Sequence, residues 1–335
     1  MAMAWGDSGR KNSSAFAMSK SASPASNTTA ATSPTAGSIA MSRSPSSSSA
    51  SASPAEVLAL EGLRNVDICQ LKDITQVLKA INLQADKLIA GESKRQYLIF
   101  RGVTQTDLAE IDDVLPKYAR VTYYKDINLL VIKLMPAGKH EFSHAEFGLM
   151  IIQKMIMMGM PWHELCPVAA TRFKGPSSSK EGDTSFKPAS RVRETDLPTI
   201  MIEAGLSESL ARLKVDAKLW LSYSGPNGDK VEIVIIISIQ PEDKVLHIER
   251  WENADRPPGR PVTRSNPAQI PMMMQEITIR PNAAGAITLN EVTGAPLVLN
   301  FNKICLRNPT APETDFTFTA NELADFANYF WGHVQ

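Results

Sequence analysis

Apolar positions after residue 54 recur with two periods, one typical of helices and one typical of strands. Apolar residues three or four apart predict helices over 57–63, 71–81, 106–115, 142–158, 207–223 and 320–331. Alternating or continuous apolar runs predict strands over 97–103, 120–124, 128–135, 199–203, 231–239, 244–251, 275–280 and 296–301. Because helices and strands intermix along the chain, the pattern predicts an α/β protein.

The most regular pattern lies between residues 199 and 251. The strand 199–203 is followed by the helix 207–223 and then by 231–239, a continuous apolar run typical of a strand buried on both faces. Strand, helix and strand in this order predict a βαβ unit with parallel strands. The segment 244–251 alternates in polarity and is predicted to pair with 231–239 as a hairpin.

Residues 1–54 differ from the rest in composition. They contain seventeen Ser and four Pro, with one acidic residue against four basic ones. Burial of so few large apolar groups cannot offset the chain entropy that folding would cost, so the composition predicts a disordered tail. Its four Ser-Pro pairs suit a proline-directed kinase or follow from composition alone, and its Ser-rich, acid-poor character leaves a transit peptide as an alternative. We therefore expect a tail over 1–54, an N-terminal α/β extension over 55–139 and an α/β domain over 140–335.

Charge and cysteine content exclude several classes of protein. The chain has 35 Lys+Arg and 35 Asp+Glu, and the part after the tail has a balance of −3, so any contact with nucleic acid requires a local basic patch. Three widely separated Cys argue against a disulfide framework. No apolar run reaches 18 residues, which predicts no membrane span. The expected location is intracellular, either nuclear or cytoplasmic.

Phosphate-binding glycine loops and GxSxG are not found in the sequence. His140 and His144 are four apart and could share a helix face, but with no third ligand nearby a capping or core role is expected.

Two carboxylates lie in sequence contexts that suggest a metal-binding role. Asp183 follows the segment 175–182, which has no apolar residue except Pro and is predicted to be a flexible loop. Glu203 ends an apolar strand, where a carboxylate is costly to bury without a partner or a metal. If the two segments pair, these carboxylates could converge on one Mg²⁺. The alternative is that Glu203 accepts backbone N–H groups at the start of the helix 207–223.

Other polar residues of this helix have structural interpretations. Ser207 and Ser209 are predicted helix caps. Asp216 is predicted to be a charge partner of its neighbours Lys214 and Lys218.

The sequence carries three motifs in order, GDTSFKP (182–188), EAGLSES (203–209) and LKVDAKLWL (213–221). From about residue 140 to 239 the chain resembles the PD-(D/E)xK restriction-endonuclease-like superfamily, in particular fungal proteins with GDxSFxP and ExGxSES boxes. The resemblance implies a restriction-endonuclease-like core, a mixed central sheet flanked by helices, here with an N-terminal α+β extension. Its expected parts are the helix 142–158, a three-stranded meander, the helix 207–223 and the strand 231–239. The meander would comprise segments near 168–173, 183–187 and 199–203.

The resemblance also implies roles for residues. Asp183 and Glu203 match the metal-binding acids, whereas the signature lysine position is Gly205. Lys214 and Lys218, four apart on the following helix, and Lys187 are candidate replacements, since a cation near the attacking water lowers its pKa. Glu146 on the first helix is either a further acid or part of a solvated face.

Two functions follow from the resemblance. One is a Mg²⁺-dependent phosphodiester hydrolase acting on DNA or RNA, with Arg256, Arg260 and Arg264 contacting phosphates. The other is a catalytically degenerate protein of the same fold that acts as a binding or scaffold module. The missing lysine favours the second function, and the retained acid pair favours the first. A structural α/β protein unrelated to nucleases is the third alternative.

Overall fold

The computed structural model describes residues 53–63, 66–135, 138–168, 171–206, 209–256 and 268–333, with 138–141 as backbone only. Residues from 51 onward belong to one compact unit. The helices are α1 Pro54–Leu60, α2 Ile74–Ile89, α3 Gln105–Val114, α4 Gly138–Met157, α5 Leu210–Ser222, α6 Phe301–Cys305 and α7 Ala320–His333. The strands are β1 Ile68–Gln70, β2 Tyr97–Arg101, β3 Ala119–Tyr124, β4 Leu129–Leu134, β5 Leu165–Val168, β6 Arg172–Lys174, β7 Ser178–Glu181, β8 Thr184–Pro188, β9 Ile200–Leu206, β10 Ile233–Gln240, β11 Val245–Asp255, β12 Gln269–Ile279, β13 Val292–Thr293, β14 Leu297–Leu299 and β15 Phe316–Phe318.

The first sheet has six strands in the order β1-β2-β4-β3-β7-β6. Only β1 and β2 are parallel within this sheet, and its other described pairs are antiparallel. Side chains alternate along β4, so Leu130, Ile132 and Leu134 pack in one core with residues of α2 and α3. Leu129 and Val131 lie on the opposite face, beside Ala59 of α1. Lys133 is two residues after Val131, so its side chain lies on the same face of the strand as Leu129 and Val131 and points away from α2 and α3.

The second sheet has seven strands in the order β13-β12-β11-β10-β9-β8-β5. Strands β9 and β10 are parallel and are connected through α5, whereas β5, β8 and β9 are antiparallel neighbours and β10 pairs antiparallel with β11. Helices α4 and α7 cover one face, and α5 covers the other. Because both faces are covered, β10 is buried along almost its whole length, as its apolar run predicts. Each buried isoleucine contributes about 1.5–3 kcal/mol to folding.

The βαβ unit and the 244–251 hairpin partner are therefore confirmed. The mixed α/β class is also confirmed, and the predicted helices correspond to α1–α5 and α7, although α2 ends at Ile89 rather than at residue 81. The boundary expected between residues 139 and 140 falls near the start of α4. The tail over 1–54 lies outside the described residues up to residue 52, and α1 begins at Pro54.

Three local predictions are wrong. The segment 175–182 is not entirely a loop, because Ser178–Glu181 forms β7 and pairs with β3. The segment 168–173 is not one strand, since β5 ends at Val168 in the second sheet and β6 belongs to the first. The strand expected over 296–301 is only Leu297–Leu299, which pairs with β15 outside both large sheets.

Candidate functional site

Strand alternation fixes the direction of Glu203. On β9, Ile200, Ile202 and Ala204 pack with α4 and α7, and Met201 packs with α5. Glu203 is two residues after Met201 and therefore points to the same face of the strand, so its carboxylate lies on the α5 side of the second sheet. Trp220 of α5 donates its indole N–H to Glu203 Oε1 at 2.7 Å.

Asp183 lies between β7 and β8, where the chain passes from the first sheet to the second. Its Oδ2 accepts the backbone N–H of Ala204 at 2.8 Å, which ties the carboxylate to β9 next to Glu203. The structure thus brings together the two acids that the sequence singles out.

A lysine lies between these two carboxylates. Lys133 Nζ on β4 is 2.8 Å from Asp183 Oδ2 and 3.2 Å from Glu203 Oε2. The side chains of both acids are 0% exposed and that of Lys133 is 4% exposed. One ammonium from the first sheet therefore pairs with both acids, away from solvent.

The ion pairs continue from Glu203 to α5. Lys180 Nζ on β7 is 3.1 Å from Glu203 Oε1 and 3.2 Å from Asp216 Oδ2. Arg212 Nε is 3.1 Å from Asp216 Oδ1. We call this group the buried ion network, which comprises Lys133, Lys180, Arg212, Asp183, Glu203 and Asp216.

Burial and charge oppose each other in setting the pKa values of the network. Burial on its own lowers the pKa of Lys133, but the charges of Asp183 and Glu203 outweigh it and raise the pKa above its ordinary value. Burial would raise the pKa of Asp216, but Lys180 and Arg212 hold it below the ordinary value. Burial dominates at Glu203 and raises its pKa despite Lys180 and Lys133. The cations of the network are therefore firmly charged.

The network does not fit a divalent metal as it stands. Asp183 Oδ2 receives both an ammonium and a backbone N–H, and each oxygen of Glu203 faces a lysine. In the part of the chain that the structure describes, no group of three or more His, Cys, Asp or Glu side chains could hold a metal ion. A cation already lies where the acid pair would bind one.

An open cleft of about 1090 Å³ reaches Asp183 from outside. Asp183, Thr184 and His144 lie together in its wall, and His144 Nδ1 is 2.8 Å from Thr184 Oγ1. The cleft is also lined by charged residues of α3, of the first sheet and of its loops, namely Asp112, Lys117, Arg120, Arg172 and Glu181.

The lysines proposed as replacements for the signature lysine have other partners. Lys214 Nζ is 2.9 Å from Glu249 Oε1, and Lys218 Nζ is 3.6 Å from Glu61 Oε1. Lys187 donates to the backbone oxygen of Arg193 at 2.7 Å. The structure brings none of these three ammonium groups to the acid pair.

Three structural interpretations of the helix region are corrected. Asp216 faces inward and pairs with Lys180 and Arg212 rather than with Lys214 and Lys218, which lie toward solvent. Ser209 occupies the N-cap position of α5, as predicted, but its hydroxyl donates to Leu206 O and accepts no N–H of the helix.

Glu203 also does not cap α5, since its oxygens accept from Trp220 and pair with the two lysines. His144 is buried, in line with the core role expected for it, and Glu146 is half-buried on α4. Arg256 is half-buried at the end of the described part of its loop. Several other candidates lie outside the residues or side chains described, namely Ser207, Arg260, Arg264 and His140.

Sequence reasoning missed Lys133 and Lys180. A weak signal exists for Lys133, because a lysine at an inward position of the strand LLVIKL is costly unless it meets an acid. The polar segment around Lys180 gives no such signal.

Comparisons with known proteins add little to this geometry. No family model matches the chain, and no curated protein matches it. Among solved structures, the chain is weakly similar to a protein from Anabaena variabilis described as a candidate nuclease of the DUF820 family. The identity is 19%, the match covers 48% of this chain and 89% of the other, and the TM-score is 0.32. A likeness at this level carries no weight for fold or function. Within the described residues, no helix is long and apolar enough to cross a membrane.

Proposed function

We propose that this protein is a catalytically degenerate member of the restriction-endonuclease-like fold that binds a nucleic-acid strand without cutting it. The observation that carries the loss of catalysis is the position of Lys133, whose ammonium pairs with both Asp183 and Glu203 away from solvent, while Lys180 pairs with the other oxygen of Glu203. A carboxylate pair that is already neutralised and buried has little affinity left for Mg²⁺.

The order of elements supports the fold proposed here. Helix α4, strands β5, β8 and β9, helix α5 and strand β10 occur in this order along the chain, with β6 and β7 of the first sheet inserted between β5 and β8. This is the helix, meander, crossover helix and strand that the sequence resemblance implies. Within the second sheet the same four strands are neighbours in the order β10-β9-β8-β5.

The cleft above Asp183 supports strand binding. Its wall carries the exposed cation Lys117, the half-buried ring of Tyr118, and Arg172, whose guanidinium is paired with Asp112 and Glu181. Cations that contact phosphates and a ring on which a base can stack are the features of sites that hold single strands without reading sequence.

The first experiment tests the loss of catalysis. Mn²⁺ binding to the wild-type chain is measured by calorimetry, and cleavage of single- and double-stranded DNA and RNA is measured in Mg²⁺ and in Mn²⁺. We expect neither binding nor cleavage. Metal-dependent cleavage that disappears in Asp183→Asn would refute the proposal.

The second experiment tests binding in the cleft. Fluorescence anisotropy with labelled oligonucleotides in EDTA is expected to show binding that Lys117→Glu weakens about tenfold, because a phosphate contact becomes a repulsion. Lys79→Glu is the matched control, since Lys79 is exposed on α2 and does not line the cleft. Equal losses in the two variants would contradict a site in the cleft.

A second candidate function is a Mg²⁺-dependent phosphodiester hydrolase. It is favoured by one observation, that Asp183 lines an open cleft although its carboxylate is covered. Lys133 would then take the part of the signature lysine. Cleavage in the first experiment would establish this alternative.

A further inference from the structure

The open cleft beside Asp183 has a neighbour on the first sheet. This second cleft, of about 320 Å³, is lined by residues of α3, of β3 and the turn after it, and of the β6–β7 hairpin. Asp112 and Arg172 belong to the walls of both clefts, so the clefts meet at this pair of residues. We infer that a bound nucleic-acid strand continues past Arg172 into the second cleft, where Lys125 and Lys174 contact its phosphates. The inference rests on the proposed function, because it extends the same binding site.

The register of the first sheet explains why a groove lies here. Lys174, Ser179 and Tyr123 are direct partners across β6, β7 and β3, so their side chains share one face of the sheet. On this face Tyr123 packs in the core with residues of α2 and α3. Arg172 is two residues before Lys174 and pairs with Asp112 of α3. The groove therefore lies between α3 and the edge strand β6.

The acids of the groove already have partners within the protein. The linings of the two clefts together contain five Lys and Arg residues and three Asp and Glu residues. Asp112 and Glu181 both pair with Arg172, and Asp183 pairs with Lys133. The remaining charge of the groove is therefore positive, which favours an anionic ligand.

Three exposed lysines follow the groove. Lys117 lines the first cleft, and Lys125 and Lys174 line the second. Within the described part of the chain, none of these three ammonium groups has an ion-pair partner, so all three are available to phosphates. They form the local basic patch that nucleic-acid binding requires in a chain whose acids and bases are balanced overall.

The dimensions of the groove favour a single strand. Gln105 at the start of α3 lines the second cleft, Asp112 lines both, and Lys117 beyond the end of α3 lines the first. The groove thus follows the whole of α3, whose ten residues span about 15 Å. The volume of the second cleft is at the lower end of the range for small-ligand pockets, which is too small for a duplex. A strand of several nucleotides is needed to reach Lys117 and Lys174 together.

The test measures the binding of a labelled oligothymidylate of about twelve nucleotides to the full chain by fluorescence anisotropy in EDTA. We expect Lys174→Glu to weaken binding about tenfold, because a phosphate contact becomes a repulsion. Lys174→Gln should lower the slope of log affinity against log salt concentration by about 0.7, the effect of one lost phosphate contact on a single strand. Lys174→Arg keeps the charge and should bind like wild type.

Lys79→Glu is the matched control, because it makes the same charge change on α2, away from both clefts. Circular dichroism checks that each variant is folded. If Lys174→Glu does not fold, Lys125→Glu tests the same cleft from the turn after β3. Equal losses in Lys79→Glu and Lys174→Glu would overturn the second cleft as a site, since only the overall charge would then matter.

The outcomes also separate this inference from the proposed function. Binding that Lys117→Glu weakens and that both Lys174→Glu and Lys125→Glu leave unchanged would refute the second cleft alone. A wild-type chain that binds no oligonucleotide would refute the proposed function and the inference together.

Discussion

Two tyrosines on one face of the first sheet differ in how their hydroxyl groups are satisfied. Tyr124 Oη accepts a hydrogen bond from Arg212 Nη2 at 3.0 Å, which links β3 to the buried ion network. Tyr97 Oη is buried without a hydrogen-bond partner among the described residues. A buried polar group without a partner costs free energy, whereas a satisfied one contributes modestly.

The two tyrosines therefore predict opposite effects of the same substitution. Tyr124→Phe should lower the free energy of unfolding by about 1–3 kcal/mol, because Arg212 loses an acceptor in a buried site. Tyr97→Phe should leave the stability unchanged or raise it by up to about 1 kcal/mol. Urea unfolding of both variants beside wild type measures the difference. A loss of equal size in Tyr97→Phe would indicate a partner for that hydroxyl, such as an ordered water.

The cysteines predict a second contrast at this scale. Burial raises the pKa of the Cys305 thiol to about 12, whereas Cys166 is exposed. Since the thiolate is the reactive form, iodoacetamide at pH 8 should label Cys166 about 100-fold faster than Cys305 in the folded chain. Mass spectrometry of tryptic peptides over time gives both rates, and labelling in urea should remove the contrast. Comparable rates in the folded protein would show that Cys305 is accessible.

At the same scale, the sequence identifies half of the candidate site. Asp183 stands out because it follows a polar stretch, and Glu203 stands out because it ends an apolar strand. Lys133 does not stand out, since its partners lie 50 and 70 residues away along the chain. Sequence spacing predicts contacts within one helix or hairpin, but it does not predict a pairing between two sheets.

The end of β9 leaves little room for a side chain at Gly205, the position at which the sequence resemblance implies a lysine. A Cβ atom at Gly205 would lie 2.4 Å from Ser209 Oγ, which itself donates to Leu206 O. Any side chain at this position must displace the hydroxyl that closes the turn. The lysine that contacts the acid pair, Lys133, lies on β4 of the first sheet.

This crowding predicts coupling between two substitutions. Gly205→Ala should destabilise the protein by about 1–3 kcal/mol through overpacking. Ser209→Ala removes the atom that the new methyl group meets, so the double variant should recover a substantial part of that loss. Urea unfolding of the two single variants and the double variant gives the coupling free energy. Strictly additive losses would mean that the turn adjusts in another way.

Strands differ in how well their own sequence predicts them. Strand β10 is predicted because its own residues are apolar on both faces, and its burial requires no knowledge of its neighbours. Strand β7 is missed because its sequence, SSKE, is polar. It forms through pairing with β3, more than 50 residues earlier, and through the charges that bury Lys180. Local pattern predicts elements that bury apolar surface, and it misses those that depend on distant partners.

The buried ion network connects the two sheets with α5. Lys133 and Lys180 come from the first sheet, Glu203 from the second, and Arg212 and Asp216 from α5. Asp183 completes it, so three cations balance three anions within the group. Networks of this kind add little net stability compared with apolar packing, but breaking one by removing a single partner costs about 3–5 kcal/mol. We therefore expect the relative position of the sheets to depend on the charge of each member.

The pH dependence of stability tests this dependence on charge. The pKa of Asp216 is lowered in the folded chain, because Lys180 and Arg212 outweigh the effect of burial. As the pH falls below the ordinary value of 3.8, the unfolded chain takes up the proton first, so protonation favours unfolding. The stability that ionised Asp216 contributes should be complete well above that pH and be lost below it. Glu203 acts in the opposite sense, since its raised pKa means that the folded chain takes up that proton more readily.

Asp216→Asn isolates the contribution of Asp216 from that of Glu203. At pH 7 the variant should be less stable than wild type by about 3–5 kcal/mol, because Lys180 and Arg212 lose a shared counter-charge. The difference should begin to shrink once the pH falls below about 3.8, because the unfolded wild-type chain then takes up a proton that folded Asp216 resists. Urea unfolding of both proteins at each pH measures this, and high salt should change the pH 7 difference little because the network is screened from solvent. A difference that stays constant down to pH 3 would show that the charge of Asp216 is not what stabilises the contact between the sheets and α5.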